Sequence, residues 1–297
     1  MTKIVIIGGS VAGHSVAVNL REKNKDCSIT LITEETHPFY DRRKLISYLS
    51  GNIKEKELFL ATPDFYAVGN INFLKERKAV GVNTAKQIVY LKKEEKRESC
   101  PYDFLVICSG RKTVLPDIPG INKDSVFRMD ALSDFKEVKS RLIGDTVCFL
   151  GWNRLACEIA KVMASKHKEV KLIMKEAPLD PLPGEGVEVI NSELVDVIGE
   201  SGVQAVKLKE GKIIGACLVM VFMSLPRAAM DFLDGANIEL SEDAVSVDER
   251  MCTNLDNVFA CGAISAPKDF SPRLKTWDET VMESKVLVDN LIQVIGG

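Results

Sequence analysis

Gly8, Gly9, Ser10 and Gly13 are the residues of this chain whose types and spacing most directly specify chemistry. They follow a short apolar, β-branched run from Lys3 to Ile7, and a helix-like stretch from Val11 to about Lys23 follows the turn. A second apolar run, Ile29 to Thr33, stops at Glu34 and Glu35. Strand, glycine turn, helix, strand and acid in this order make the pattern of a dinucleotide-binding βαβ unit. Gly8 permits the sharp turn, a small residue at position 10 lets the backbone approach a diphosphate, and Gly13 lets the helix pack close to the strand. The N–H groups of Val11, Ala12 and Gly13, with the positive end of the helix, then hold the phosphates. Glu34 or Glu35 would accept hydrogen bonds from a ribose. Ser10 replaces the middle glycine of the pattern. The competing reading is a nucleotide-free doubly wound fold whose glycine turn is only structural.

The elements that position this turn alternate between strand and helix signals, which predicts an α/β protein. Tyr102 to Cys108 reads as a strand ending at Ser109-Gly110, and Pro116, Pro119 and Gly120 read as a linker. Thr146 to Leu150 then opens a second strand–turn–helix unit at Gly151, with a helix from about Leu155 to Lys168 and a strand from Val170 to Met174. Pro178, Pro181, Pro183 and Gly184 break the chain again. Val187 to Phe222 alternates like short strands, Asn257 to Gly262 is one more strand, and Trp277 to about Val294 is a helix. Two mononucleotide-type units thus recur about 140 residues apart.

Bulk properties narrow the function classes. The 297 residues carry a net charge of −3 with no basic stripe, so a nucleic-acid partner is not expected. No apolar run has membrane-spanning length, and the N-terminus enters a strand at once, which predicts a cytoplasmic protein without a signal peptide. The eight cysteines include no Cys-x-x-Cys pair and no metal-like spacing, so neither a metal nor a redox disulfide is expected. Cys108, Cys148, Cys217 and Cys261 lie in strand-like runs and read as small buried hydrophobes.

Taken together, these residues resemble the two-dinucleotide-domain flavoproteins, the pyridine nucleotide-disulfide oxidoreductase family, nearest its rubredoxin/ferredoxin reductase and nitrite reductase branch. Pro38-Phe39-Tyr40-Asp41-Arg42 with Leu45 is similar to that branch's segment beside the flavin, which implies that Arg42 contacts the cofactor. The lysine that related reductases place there would fall at Ser47. Cys108-Ser109-Gly110 resembles the strand end that closes over FAD, Pro116 to Gly120 the linker to the second domain, and Thr253 to Gly262 the late FAD motif. Lys275-Thr276-Trp277 resembles the segment that reaches the flavin ring; helix capping and core packing are the competing role for Trp277. The resemblance implies an FAD domain of residues 1–117 and 246–297, with a smaller NAD(P)H-binding-like domain of 118–245 inserted, both Rossmann-like and three-layered.

The departures are as informative. Ala263 stands where the family has an aspartate that binds the ribityl chain, a loss of roughly 1–3 kcal/mol. The second fingerprint reads Gly151-Trp152-Asn153-Arg154-Leu155-Ala156, where only the first glycine survives and Asn153 puts a side chain in the way of a pyrophosphate. Trp152 could stack on a cofactor or plug that space. Glu158 and Ala160 match the family's continuation, which places Glu158 near the nicotinamide as the one side-chain candidate in catalysis. No acid ends the next strand, and the helix after Pro178 is expected to be deleted. Phe222 to Pro226 resembles the closing motif, with Ser224 for glycine. The chain stops after the Trp277 helix, so the interface domain of larger members, and the dithiol of thioredoxin reductases, are expected to be missing.

The resemblance implies an FAD-dependent oxidoreductase that passes electrons from NAD(P)H to a small molecule or small redox protein, without a redox-active disulfide. The alternative is a flavin- or nucleotide-binding electron-transfer partner subunit that has lost NAD(P)H binding. A homodimer or a larger redox complex is the expected assembly. Among the histidines, His14 reads as a solvent-facing helix residue, His37 as a turn residue and His167 as part of a polar helix face.

Overall fold

The computed structural model describes residues 1–141, 146–176, 182–223, 225–268 and 270–296. They form two compact units: Met1–Tyr40, Phe59–Arg111 and Arg227–Gly297 in the first, Asp41–Leu58 and Lys112–Pro226 in the second.

The first unit is built on a parallel five-stranded sheet in the order Val258–Ala260, Phe104–Ile107, Lys3–Ile7, Ser28–Ile32, Ile71–Leu74. Successive side chains of a strand point to opposite faces, and here both faces are covered, which is why the strands read as unbroken apolar runs. Ile4 and Ile6 face a core shared with Val16, Leu20, Leu287 and Leu291, from the first helix (Val11–Lys23) and the last (Trp277–Gly296). Val5 and Ile7 face the other way, into a core with Val89 and Leu91. These last two belong to an antiparallel sheet of Lys78–Asn83, Ile88–Lys93 and Lys96–Pro101. Helices, parallel sheet and antiparallel sheet make three layers. The charged run Lys92 to Glu98 is the hairpin tip of that antiparallel sheet, with Glu94 at φ 51°.

The second unit repeats the plan. Its parallel sheet runs Val187–Asn191, Glu169–Met174, Thr146–Leu150, Leu218–Val221, Val126–Phe127. A helix, Arg154–Ser165, follows its Gly151 turn. The antiparallel layer is Leu194–Ile198, Ala205–Leu208 and Ile213–Gly215, packed on Cys148, Ile173, Val219 and Val221. Among the described residues no helix lies between Glu169–Met174 and Val187–Asn191; Pro178, Pro181 and Ser224 fall outside the described residues. Both units are thus Rossmann-like α/β domains. His167 departs from expectation: the helix ends at Ser165, and His167 sits beyond it at φ 58°.

Candidate cofactor-binding site

The Gly8 turn is shaped by contacts that admit no side chain. Gly8 adopts φ +112°, and a Cβ there would lie 2.1 Å from the Cys108 carbonyl oxygen. A Cβ on Gly13 would lie 1.8 Å from the Gly8 carbonyl oxygen. The Gly8 N–H donates to the Ile32 carbonyl at 2.8 Å, which ties the turn to the second strand. Ser10 is the N-cap residue of the first helix, yet its side chain makes no hydrogen bond to the helix end. The first N–H groups of a helix have no partner within it, so Val11, Ala12 and Gly13 present donors and the positive pole together.

A small hollow opens beside this turn, lined by Gly9, Ser10, Thr33, Glu35, His37 and Pro38. Of the two acids expected to meet a ribose, Glu35 lines it, while Glu34 is exposed and does not. On the neighbouring strand ends, Ser109 Oγ is buried without a hydrogen-bond partner, and its backbone N would be 3.0 Å from a Cβ on Gly8. An orphaned buried hydroxyl costs on the order of 1–3 kcal/mol, and a ligand that bonds it removes that cost. Gly110 and Gly262 both take positive φ, 70° and 82°. The Gly262 N–H donates to Glu283 Oε2 at 2.9 Å, and Glu283 Oε1 pairs with Lys275 Nζ at 2.6 Å. The Lys275 side chain is only 7% exposed, so this pair holds the Gly262–Ala263 turn from within the fold. Ala263 contributes a carbonyl, which accepts from Arg111 Nη1 at 3.4 Å. The residues of the first unit fit a dinucleotide: bare helix donors, a cradle closed to side chains, an acid and an unsatisfied hydroxyl.

Beside the turn lies an aromatic cluster that sequence reasoning missed. His14 stacks on Phe39 with ring centroids 4.0 Å apart, Phe39 stacks on Trp277 at 5.5 Å, and His14 Nδ1 bonds the Tyr66 hydroxyl at 2.8 Å. Burial lowers the His14 pKa to about 4 and raises that of Tyr66. His14 is therefore a neutral packing residue, not the solvent-facing one expected, because its face of the helix turns toward residues that follow much later in the chain.

The pyridine nucleotide-disulphide oxidoreductase family matches residues 2–284. The chain belongs to this family. Its members are FAD-dependent and use NAD(P)H. The NADH oxidase of Methanocaldococcus jannaschii is 26% identical over 296 residues, 92% of this chain and 65% of that protein. The rubredoxin-NAD(+) reductase of Acinetobacter baylyi is 23% identical, across 88% of this chain and 72% of that one. The crystal structure of a covalent putidaredoxin reductase–putidaredoxin complex superposes with a TM-score of 0.86 at 20% identity, across 98% of this chain and 75% of the other, and shares the fold. Against the NADH oxidase the chain spans just under two thirds of the relative's length, and against the nitrite reductase of Bacillus subtilis about a third, 34%.

The second family fingerprint is built differently. Gly151 keeps the turn, at φ +83° with a Cβ position 2.1 Å from the Phe222 carbonyl oxygen. Asn153, however, caps its helix: Oδ1 accepts from the Ala156 N–H at 2.9 Å, and Nδ2 donates to the Met223 carbonyl at 2.8 Å. Trp152 is 6% exposed, with its ring 6.2 Å from that of Phe149. The helix end that would receive a second diphosphate is filled by the chain's own amide, and the residues there do not fit that group in this conformation. Glu158, on the same helix, pairs with Lys161 Nζ at 2.7 Å. Arg42 also belongs to the second unit, where Nη1 donates to the Asp130 carbonyl at 2.6 Å. Among the described residues no group of three or more His, Cys, Asp or Glu could hold a metal, and no helix is long and apolar enough to cross a membrane.

Proposed function

We propose that this chain is an FAD-dependent oxidoreductase that takes electrons from NAD(P)H and passes them to a small molecule or a small redox protein. The observation that carries the reading is the uncapped start of the first helix, above a turn whose Gly8 and Gly13 admit no side chain. The relatives named NADH oxidase and rubredoxin-NAD(+) reductase support the donor and the kind of acceptor. Hydride acceptance and electron release are chemistry that the flavin supplies when bound. The chain's part is to bind and orient: Gly8, Gly9, Ser10 and Gly13 with the N–H groups of Val11 and Ala12 hold diphosphate, Glu35 rather than Glu34 holds ribose, and Ser109, Gly110, Gly262, Ala263 and Trp277 line the flavin half. Glu158 would border the nicotinamide once the Asn153 amide gives way at the same helix end. In this reading the unit built on the Lys3–Ile7 strand holds FAD and the unit built on the Thr146–Leu150 strand the nicotinamide nucleotide, and the protein works in the cytoplasm, as a homodimer or within a larger redox complex.

The Asn153 cap favours a second reading: a flavin-binding partner subunit that receives its electrons from another protein. Anaerobic addition of NADH and then NADPH to the purified protein separates the two. A yellow protein that bleaches with either nucleotide supports the reductase; a yellow protein that resists both supports the partner subunit. Protein that retains no flavin and binds none on addition of FAD overturns both.

A further inference from the structure

Cys108 and Cys261 lie 153 residues apart in sequence, yet their sulfurs are 3.7 Å apart. Both are free and buried, with Cys261 fully enclosed. The sheet sets this meeting. Ala260 faces Ile107 across neighbouring parallel strands, and the Cys261 N–H donates to the Ile107 carbonyl at 3.2 Å, so the cysteines form the next facing pair. Neighbouring strands run about 4.8 Å apart, within the roughly 4.4–6.8 Å that a disulfide spans between Cα atoms. Lys275 and Glu283 act on Cys261 with opposite electrostatic sign. The hydrogen bond with Cys108, and burial, push the Cys261 thiol well above the ordinary cysteine range, which keeps that thiol protonated at rest.

We propose that Cys108 and Cys261 are an oxidative modification site, joined as a disulfide by a peroxide. One cysteine attacks the peroxide as a thiolate, breaking its O–O bond and leaving a sulfenic acid, and its proton goes to the departing hydroxide as water; the second displaces water from that sulfur in the same way. With hydrogen peroxide, two thiols and one peroxide give one S–S bond and two waters. Two electrons pass from the sulfurs to oxygen, and both thiol protons leave in the waters. The step is separate from electron transfer through a flavin and does not rest on that assignment. Its consequence is local. The Cys108 carbonyl abuts Gly8 and Cys261 precedes Gly262, so the bond would tie together the two strand ends that flank the turn.

The test is to incubate the folded full-length chain with hydrogen peroxide, alkylate it in denaturant and map the peptides by mass spectrometry. The expected result is a Cys108–Cys261 cross-linked peptide pair that dithiothreitol releases. Cys108→Ser and Cys261→Ser should each abolish it and leave the remaining cysteine unlinked. The wild-type map is decisive even if a variant folds poorly. Recovery of both residues as alkylated thiols once the half-exposed Cys100, Cys157 and Cys252 have been oxidised overturns the proposal. So does recovery of either residue joined to a different cysteine, or as sulfinic or sulfonic acid.

Discussion

At the residue scale, Gly13 decides whether the first site exists. Gly13 touches the backbone it packs against, so Gly13→Val must push helix from strand by more than a side chain can absorb. Overpacking of this kind costs roughly 1–3 kcal/mol, and the expected outcome is a folded but less stable protein without visible flavin absorbance. Flavin retained at wild-type stoichiometry would argue against the site's placement. His14 gives a second expectation through its protonation. Its pKa of about 4 in the fold against 6.5 in the unfolded chain means that between those values only the unfolded state takes up the proton. Stability is therefore full above about pH 6.5 and declines as the pH falls toward 4. Melting curves of His14→Phe across that window should lose this part of the slope. An unchanged difference between variant and wild type at every pH would show that His14 does not titrate as its burial implies.

At the element scale, the two fingerprint helices make a comparison within one molecule. The Gly8 and Gly151 turns match, with Cβ positions 2.1 Å from a facing carbonyl in both units. The helices differ in what fills their first turn, nothing from Ser10 and a full amide from Asn153. Replacing an N-cap Asn by Gly costs only a few tenths of a kcal/mol. Asn153→Gly should therefore leave the fold intact while raising the rate of flavin bleaching by NADH or NADPH; no change would remove Asn153 as the barrier. Glu158→Ala breaks an exposed pair worth at most about 1 kcal/mol. If the nicotinamide reading holds, that variant should keep its flavin and reduce it roughly tenfold more slowly, ~1.4 kcal/mol of barrier. The glycine turns and their helices were legible in the sequence because local sterics dictate them. Asn153 was legible as an obstacle, and its cap on the Ala156 N–H was a local signal that sequence reasoning missed, whereas its bond to the Met223 carbonyl depends on the fold. The antiparallel sheet of residues 78–101 was not legible, because exposed Val80 and Tyr90 on its outer face and the irregular register between Ala79 and Gly81 interrupt the two-residue alternation. The Cys108–Cys261 and His14–Tyr66 meetings depend on chain closure and leave no local trace.

At the scale of the whole molecule, a ligand that binds only the folded state stabilises it in proportion to the logarithm of its concentration. FAD at a hundred times its dissociation constant adds about 2.7 kcal/mol, so melting temperature should rise by several degrees with added FAD. NADH or NADPH without FAD should give a much smaller rise while Asn153 stays in place. Equal rises with all three would mean that the second helix end is open in solution. The bare start of the Val11–Lys23 helix bears on how the protein is made. A helix that leaves its opening amides to be completed from outside gains protection when its ligand binds, and amide hydrogen exchange at Val11 to Gly13 should slow when FAD is added to flavin-stripped protein. The cofactor would then act as the missing terminal clasp of the polypeptide, and freshly synthesised chains short of flavin would be the ones that open, and are degraded, most readily.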